Sequence, residues 1–401
     1  MQGVLNGVRV VEVSMWAMVP AAGAILAEWG ADVIKIEGPD GDPVRGLVTA
    51  GISPDGPRYT WEMWNRGKRA IALDLNRPAA QAIVHDLARG ADVFLTSVLP
   101  GQRRKLGIDL ASIRAGNPEI IYASGTGQGA LGPEADKGGY DSIVYWARSG
   151  AAASATSPGA DPVGMPSGAF GDAISGMALA GGVAAALVKK LRTGKGSVVE
   201  GSLLATAMWS MQMWITGAAA AGLEEMPRMS RRRPFNPLVN SYRTADGRWV
   251  MLCMLQPDRY WAGFCRAVGR DDLVSDPRFA DAAARAAHNE ACVAELDRTF
   301  AAAPLAEWRR RLAAQDGQWD VMNTVSEVRA DPQVVANRFL QTIRYDGGHE
   351  LAIVGAPVQF DGGPGALRPA PAFGADTDAV LAELGWDADA IIQAKVDGAV
   401  V

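Results

Sequence analysis

Histidine and cysteine are scarce in this sequence, at three residues each in 401. His85, His288 and His349 stand far apart, as do Cys253, Cys265 and Cys292. Neither residue recurs at ligand spacing, so no metal site is expected, and the cysteines point to a reducing compartment rather than a disulfide framework. An excess of positive charge is lacking too: 39 Lys and Arg against 44 Asp and Glu leave a net charge of −5. A mildly acidic chain has no overall attraction for nucleic acid or an anionic membrane, and neither is an expected partner. The opening residues, Met1-Gln2-Gly3-Val4-Leu5-Asn6-Gly7, have no basic stretch and no apolar run of the signal-peptide kind, so a cytoplasmic protein is expected. One uncharged stretch, residues 203–223, has the length of a membrane span, but Thr206, Ser210, Gln212 and Thr216 interrupt it. It reads as a buried helix, and a helix that is apolar all round hints at a subunit interface.

What is present is a large apolar fraction, 48% of the chain, enough for a sizeable core and more than one domain. Residues 8–13 read as a buried strand, 21–29 as a helix and 32–37 as a second strand after the stop at Gly30. The alternation continues with strands at 70–75, 92–96 and 120–124 and a helix at 79–89. Strands that alternate with helices predict an α/β fold with a parallel sheet covered on both faces. Two glycine clusters resemble nucleotide motifs and fail on spacing. Gly125-Thr126-Gly127-Gln128-Gly129 is followed by Leu131-Gly132-Pro133 rather than by a helix start, and Gly194-Lys195-Gly196-Ser197 lacks the upstream glycine of a phosphate loop. Residues 224–237, rich in Arg and Pro, read as a linker, and the run Arg231-Arg232-Arg233 reads as a solvated basic loop. Beyond it a hairpin at 242–253 and helices at 258–268, 282–300 and 305–314 describe a small second domain. Short strands at 342–345 and 351–354 and two terminal helices complete the chain.

The stretch around which these parts are organised is Ser167-Gly168-Ala169-Phe170-Gly171-Asp172-Ala173-Ile174-Ser175-Gly176-Met177. It delivers one acid to the start of a helix that stays uncharged until Lys189, so the helix reads as buried. An acid suits that end, where unpaired N–H groups and the helix dipole favour negative charge. Asp172 therefore has two readings: an N-cap, which contributes about 1 kcal/mol, or a nucleophile. Gly168, Gly171 and Gly176 favour the second, because they leave no side chain to block a ligand.

Several motifs in fixed order then carry a resemblance that runs nearly end to end. They are Ala27-Glu28-Trp29-Gly30-Ala31-Asp32-Val33-Ile34-Lys35-Ile36-Glu37, Gly41-Asp42-Pro43 with Arg45, Asn65-Arg66-Gly67-Lys68-Arg69, Pro100-Gly101, Gly139-Tyr140-Asp141, and Gly171-Asp172 with Ser175-Gly176-Met177. In these the chain resembles the class III CoA-transferases, the formyl-CoA and carnitine-CoA transferase type that also contains the α-methylacyl-CoA racemases. The resemblance implies a Rossmann-like large domain (residues 1–223 and 331–401), a linker (224–240), an inserted small α+β domain (241–330) and an interlocked homodimer. It implies acyl-CoA and a free carboxylic acid as substrates, with CoA as substrate and no tightly bound cofactor. It makes Asp172 the nucleophile, attacking the thioester to give a mixed anhydride and then an aspartyl-CoA thioester.

Departures from the family pattern narrow the chemistry. The racemase branch has a proton-transferring His where this chain has Tyr140, which matches formyl-CoA transferase. A phenol is a poor base at neutral pH, so inversion at an α-carbon is disfavoured, while Tyr140 can still hydrogen-bond a substrate carboxylate. Ala17 stands where formyl-CoA transferase carries an active-site Gln, and Leu47 where it carries a Trp. Pro234-Phe235-Asn236-Pro237-Leu238-Val239-Asn240 replaces its glycine-rich lid, and together these changes imply a larger acyl group. For CoA, the resemblance puts Lys105 at a phosphate-contacting position with Arg104 and Arg103 beside it, and counts Ala17 among the CoA-binding positions. Lys68 and Arg69 are further basic candidates for CoA, with pairing to acids at the sheet edge as the alternative. Three functions stay open on the sequence: CoA transfer through Asp172, a racemase-type isomerase with Asp172 as base, and a non-catalytic acyl-CoA binder in which Asp172 is a cap.

Overall fold

The computed structural model describes residues 3–52, 55–157, 159–228 and 230–401. It divides into two compact units, residues 3–225 with 332–401, and residues 226–331.

The first unit is built on β1 (Arg9–Val13), β2 (Asp32–Glu37), β3 (Arg69–Ala72), β4 (Val93–Thr96), β5 (Ile121–Thr126) and β6 (Val198–Ser202). All pair in parallel in the order β3-β2-β1-β4-β5-β6. In β1, Val11 and Val13 point to one face, packing with Ile34, Phe94 and Leu87, while Val10 points to the other, packing with Leu26 and Val183. Both faces of the alternating strand are thus apolar and covered, which explains its run of β-branched residues. Helix Pro78–Arg89 and the two C-terminal helices cover the first face; helices Met18–Glu28 and Phe170–Thr193 cover the second. At the β3 edge the far end of the chain returns, with Val400 bridging Leu73 and Asp376 accepting the Ala70 N–H at 2.8 Å.

Three expectations need revision. Helix Phe170–Thr193 buries one face only: Leu179, Ala180 and Val183 are covered, while Leu191 is 85% exposed. By length and composition it is also the helix able to cross a membrane among the described residues. Residues 203–223 form two helices, Leu203–Ser210 and Gln212–Ala221, broken at Met211, and Trp209 and Met213 lie open at 71% and 78%. They are not a buried helix within this chain.

The second unit pairs β7 (Val239–Arg243), β8 (Trp249–Cys253) and β9 (Trp319–Val321) in an antiparallel sheet. Tyr242, Phe264, Phe300 and Trp308 form its core with the surrounding helices. The helix expected at 282–300 is two, Ala282–Ala287 and Asn289–Ala301, separated at His288. In the basic run Arg232 and Arg233 are exposed, as expected of a solvated loop, with Arg233 pairing with Glu290 at the surface, while Arg231 is half-buried and pairs with Asp297 at 2.8 Å.

Candidate active site

In a doubly wound sheet the chain leaves β1 in one direction and β4 in the other, and the loops beyond their C-terminal ends part to leave a crevice. A cavity of about 310 Å³ lies there. Trp16 follows β1, Leu99 follows β4, Thr126 ends β5 and Leu203 follows β6, and all four line it. Asp172 lines it too, as does Tyr140. The two residues singled out for catalysis therefore share one cavity.

Asp172 is the third residue of its helix, not its cap. The cap position is Ala169, in a left-handed conformation (φ 58°) with no side-chain hydrogen bond. Among the described residues none hydrogen-bonds the Asp172 carboxylate, so the capping reading has no geometry behind it. Burial pushes its carboxyl up to about 7, and the neighbouring Asp141 carboxylate adds to the effect. The helix N-terminus, which favours negative charge, therefore does not keep Asp172 in the ordinary carboxylate range. Desolvation and a like charge outweigh the dipole here.

Asp141 is itself buried at 7% exposure. It accepts the Ser142 N–H at 2.8 Å at the start of helical turn Ser142–Arg148, and the Gly171 N–H as well. Burial nevertheless raises its pKa against those bonds, and its second oxygen has no partner. Two acids thus stand at the starts of two helical segments, near enough for the charge of Asp141 to raise Asp172.

The glycines beside Asp172 do different work from that expected. A Cβ on Gly171 would come 2.3 Å from the Tyr145 ring, and one on Gly176 would come 2.6 Å from the Met18 carbonyl oxygen. Both are close-packing glycines that set the helix against its neighbours. Gly168 alone of the three has open space around its Cα.

Tyr140 is 52% exposed and stands edge-on to Trp16, with ring centroids 5.4 Å apart at 90°. Among the described residues its hydroxyl has no partner, leaving it for a ligand. Ala17 is 7% exposed and does not line the cavity, although Trp16 and Met18 on either side do. Helix Pro100–Lys105 begins beside Leu99 at the cavity rim. Arg104 and Lys105 are exposed on it, whereas Arg103 turns inward, donating from Nε to the Val98 carbonyl with its guanidinium 6.0 Å from the Tyr122 ring centre. Lys68 bonds Glu12, and Arg69 bonds Asp32 and Glu383.

The sequence reading missed Trp16, Leu99, Thr126 and Ile143 as walls. The glycines after β5 were a usable signal, because strand ends in this fold class open onto ligands. Trp16 gave none, since its positive φ of 70° is invisible in sequence. A second, larger cavity of about 580 Å³ lies in the 226–331 unit beside Phe235, Pro237 and Leu255. Its charged wall residue, Arg285, is already engaged by Asp258 and the Phe279 carbonyl.

Sheet order and crevice define a doubly wound α/β protein whose switch-point cavity is lined by one carboxylate, that of Asp172. Residues 5–377 match CoA-transferase family III, and the chain belongs to that family of enzymes. It is 35% identical over 390 residues to the (R)-2-hydroxy-4-methylpentanoate CoA-transferase of Clostridioides difficile, covering 96% of this chain and 97% of that one. It is 30% identical over 401 residues to the cinnamoyl-CoA:phenyllactate CoA-transferase of Clostridium sporogenes, covering 98% and 96%. A CAIB/BAIF family protein from Brucella suis superposes with a TM-score of 0.83 at 28% identity, covering 96% of this chain and all of that one (100%).

Proposed function

We propose that the protein moves CoA from an acyl-CoA thioester to a free carboxylic acid through covalent intermediates on Asp172. The observation that carries this is a carboxylate in the switch-point cavity with no hydrogen bond to satisfy it and a pKa raised to about 7. Such a group is ionised in a good fraction of molecules at neutral pH and more basic than an ordinary aspartate, hence a better nucleophile.

The ionised Asp172 oxygen attacks the thioester carbonyl and expels CoA thiolate, leaving a mixed anhydride. The thiolate then attacks the Asp172 carbonyl of the anhydride, releasing the first carboxylate and forming an aspartyl-CoA thioester. The acceptor carboxylate repeats these steps in reverse order: it displaces thiolate from Asp172, and the thiolate takes the acceptor's acyl group, restoring the aspartate. No net proton is consumed, and water must be kept from both anhydrides. Tyr140 supports the cycle by offering its hydroxyl to the carboxylate that leaves or enters.

For the nucleotide end, the proposal assigns the exposed Arg104 and Lys105 to CoA phosphates. Arg103 stiffens the turn beneath them, and Ala17, buried behind the cavity wall, is given no contact with the thioester. The working unit is proposed to be an interlocked homodimer, supported by the open apolar face of Trp209, Met213, Trp214 and Ile215. The compartment is proposed to be the cytoplasm, supported by three unpaired thiols.

The test is intact-protein mass after incubation with a panel of acyl-CoA thioesters, with hydroxylamine trapping and heavy water as solvent. Covalent transfer gives an adduct, or a hydroxamate, mapping to Asp172 and absent in Asp172→Asn, with no deuterium at the acyl α-carbon. Deuterium uptake without an adduct would instead assign Asp172 as a proton-transfer base.

A further inference from the structure

Trp16 stands in the cavity wall in a backbone conformation that a bulky side chain avoids, with φ at +70°. Such a residue costs about 1–3 kcal/mol and persists only where its surroundings over-determine it. Here they do. The Trp16 N–H donates to Asp42 Oδ1 at 3.2 Å, and the same oxygen accepts the Val44 N–H at 3.0 Å. Asp42 Oδ2 lies 3.0 Å from Lys35 Nζ, which also donates to the Ser14 carbonyl at 2.9 Å. Lys35 lies 3.4 Å from Glu12, and Glu12 lies 2.8 Å from Lys68. The side chains of all four groups are fully buried. The helix above makes room for them at Gly23, where a Cβ would fall 1.9 Å from Glu12 Oε2.

Two acids and two bases in the interior give a neutral network whose worth lies in a fixed arrangement more than in stability. Its outlet at the cavity is the Trp16 N–H. The indole is thereby held edge-on to Tyr140, making an aromatic corner continuous with Leu99, Ile143 and Leu203. Among the described residues lining the cavity, Asp172 carries the only charge. A second carboxylate on an acyl chain would meet no cation there, would lose its hydration, and would be repelled by Asp172.

We propose that Trp16, held in place by Asp42, is the specificity-determining wall of the acyl site, and that it selects uncharged branched or aromatic acyl groups over acyl groups bearing a second carboxylate. Trp16 touches the acyl group, and Asp42 is its positioning residue. The inference rests on the reading of this cavity as the site of thioester chemistry at Asp172.

The test separates the two by measuring binding without turnover. Unreactive thioether analogues of CoA carrying a 3-phenylpropyl, a 4-methylpentyl or a 3-carboxypropyl chain are titrated calorimetrically into wild type, Trp16→Ala, Trp16→Phe and Asp42→Asn. Wild type is expected to bind the first two at least about 100-fold more tightly than the third, the size of effect that follows from burying an unpaired charge. Trp16→Ala should cut that ratio at least about 10-fold by admitting water, and Trp16→Phe should largely restore it. Asp42→Asn should move the ratio toward that of Trp16→Ala, whereas a general loss of folding would weaken all three analogues alike. Equal or tighter binding of the carboxypropyl analogue by wild type, or an unchanged ratio in Trp16→Ala, overturns the proposal. Because no analogue reacts, a flat ratio with an intact Asp172 adduct rejects this wall alone, and a steep ratio with no adduct rejects only the covalent reading.

Discussion

At the scale of single residues, the state of Asp172 is set first by burial and then by the charge of Asp141. Both carboxyls are raised above the ordinary range by burial, and the charge on Asp141 raises Asp172 further. The nucleophile is the ionised form, so kcat/KM should rise with pH through an apparent pKa near 7 in the free enzyme, the value to which Asp172 is pushed. Replacing Asp141 by Asn removes a negative neighbour while keeping an oxygen to accept the Ser142 and Gly171 N–H groups. Ionisation of Asp172 becomes easier, so the rising limb of the profile should move to lower pH, toward the usual carboxylate range. A pH–rate series on both proteins reads this directly. A limb that stays put or moves up would show that Asp141 does not act on Asp172 by charge. The acid at 172 was legible in the sequence, because a lone charge opening a long uncharged helix is conspicuous. Its protonation was not, because the partner acid lies on a different element and meets it only in the fold.

Among elements, the start of helix Phe170–Thr193 is the informative one. Ala169 holds a left-handed conformation (φ 58°) so that the chain can turn into the helix with Gly171 against Tyr145 and Gly176 against Met18. An L-residue in that region is strained, and glycine is not. Ala169→Gly should therefore stabilise the protein by about 0.5–1 kcal/mol, the relief of strain exceeding the entropy lost by glycine. Ala169→Val should destabilise it, since a β-branched residue fits that region worse. Paired thermal melts check both, and a Gly variant melting below wild type would show that the turn is not strained. Most strands were legible as short β-branched runs between helical stretches, and β1, β2 and β4 fall close to where the pattern put them. The failures share a physical cause. Apolar periodicity says that a surface wants covering, not by what, so residues 203–223 read as one buried helix when the chain leaves Trp209 and Met213 open and breaks at Met211. The segment Ser142–Arg148, wound more loosely than an α-helix, has no sequence signature at all.

For the molecule as a whole, that open surface sets the strongest expectation. Trp209, Met213, Trp214 and Ile215 cluster on two consecutive helices at 71%, 78%, 44% and 40% exposure, and a patch of this kind on a lone chain is costly to leave in water. If a second copy covers it in an interlocked dimer, two consequences follow that differ from those of an ordinary dimer. Light scattering should give twice the chain mass of 42.2 kDa. Exchange should be extremely slow, because linked chains separate only when part of one unfolds, and the rate then tracks the unfolding barrier rather than the affinity. Mixing tagged and untagged protein should therefore yield no mixed dimer over hours at 25 °C, while co-expression of the two chains should yield it readily. Partial denaturation in about 2–3 M urea, within the range that weakens domains of ordinary stability, followed by dilution should restore exchange. A double substitution, Trp209→Glu with Met213→Glu, should lower the scattering mass toward that of one chain. Rapid exchange of native wild-type dimers would show that the subunits meet side by side rather than interlocked, and a wild-type mass of 42.2 kDa would show that this face is covered by something other than a second copy.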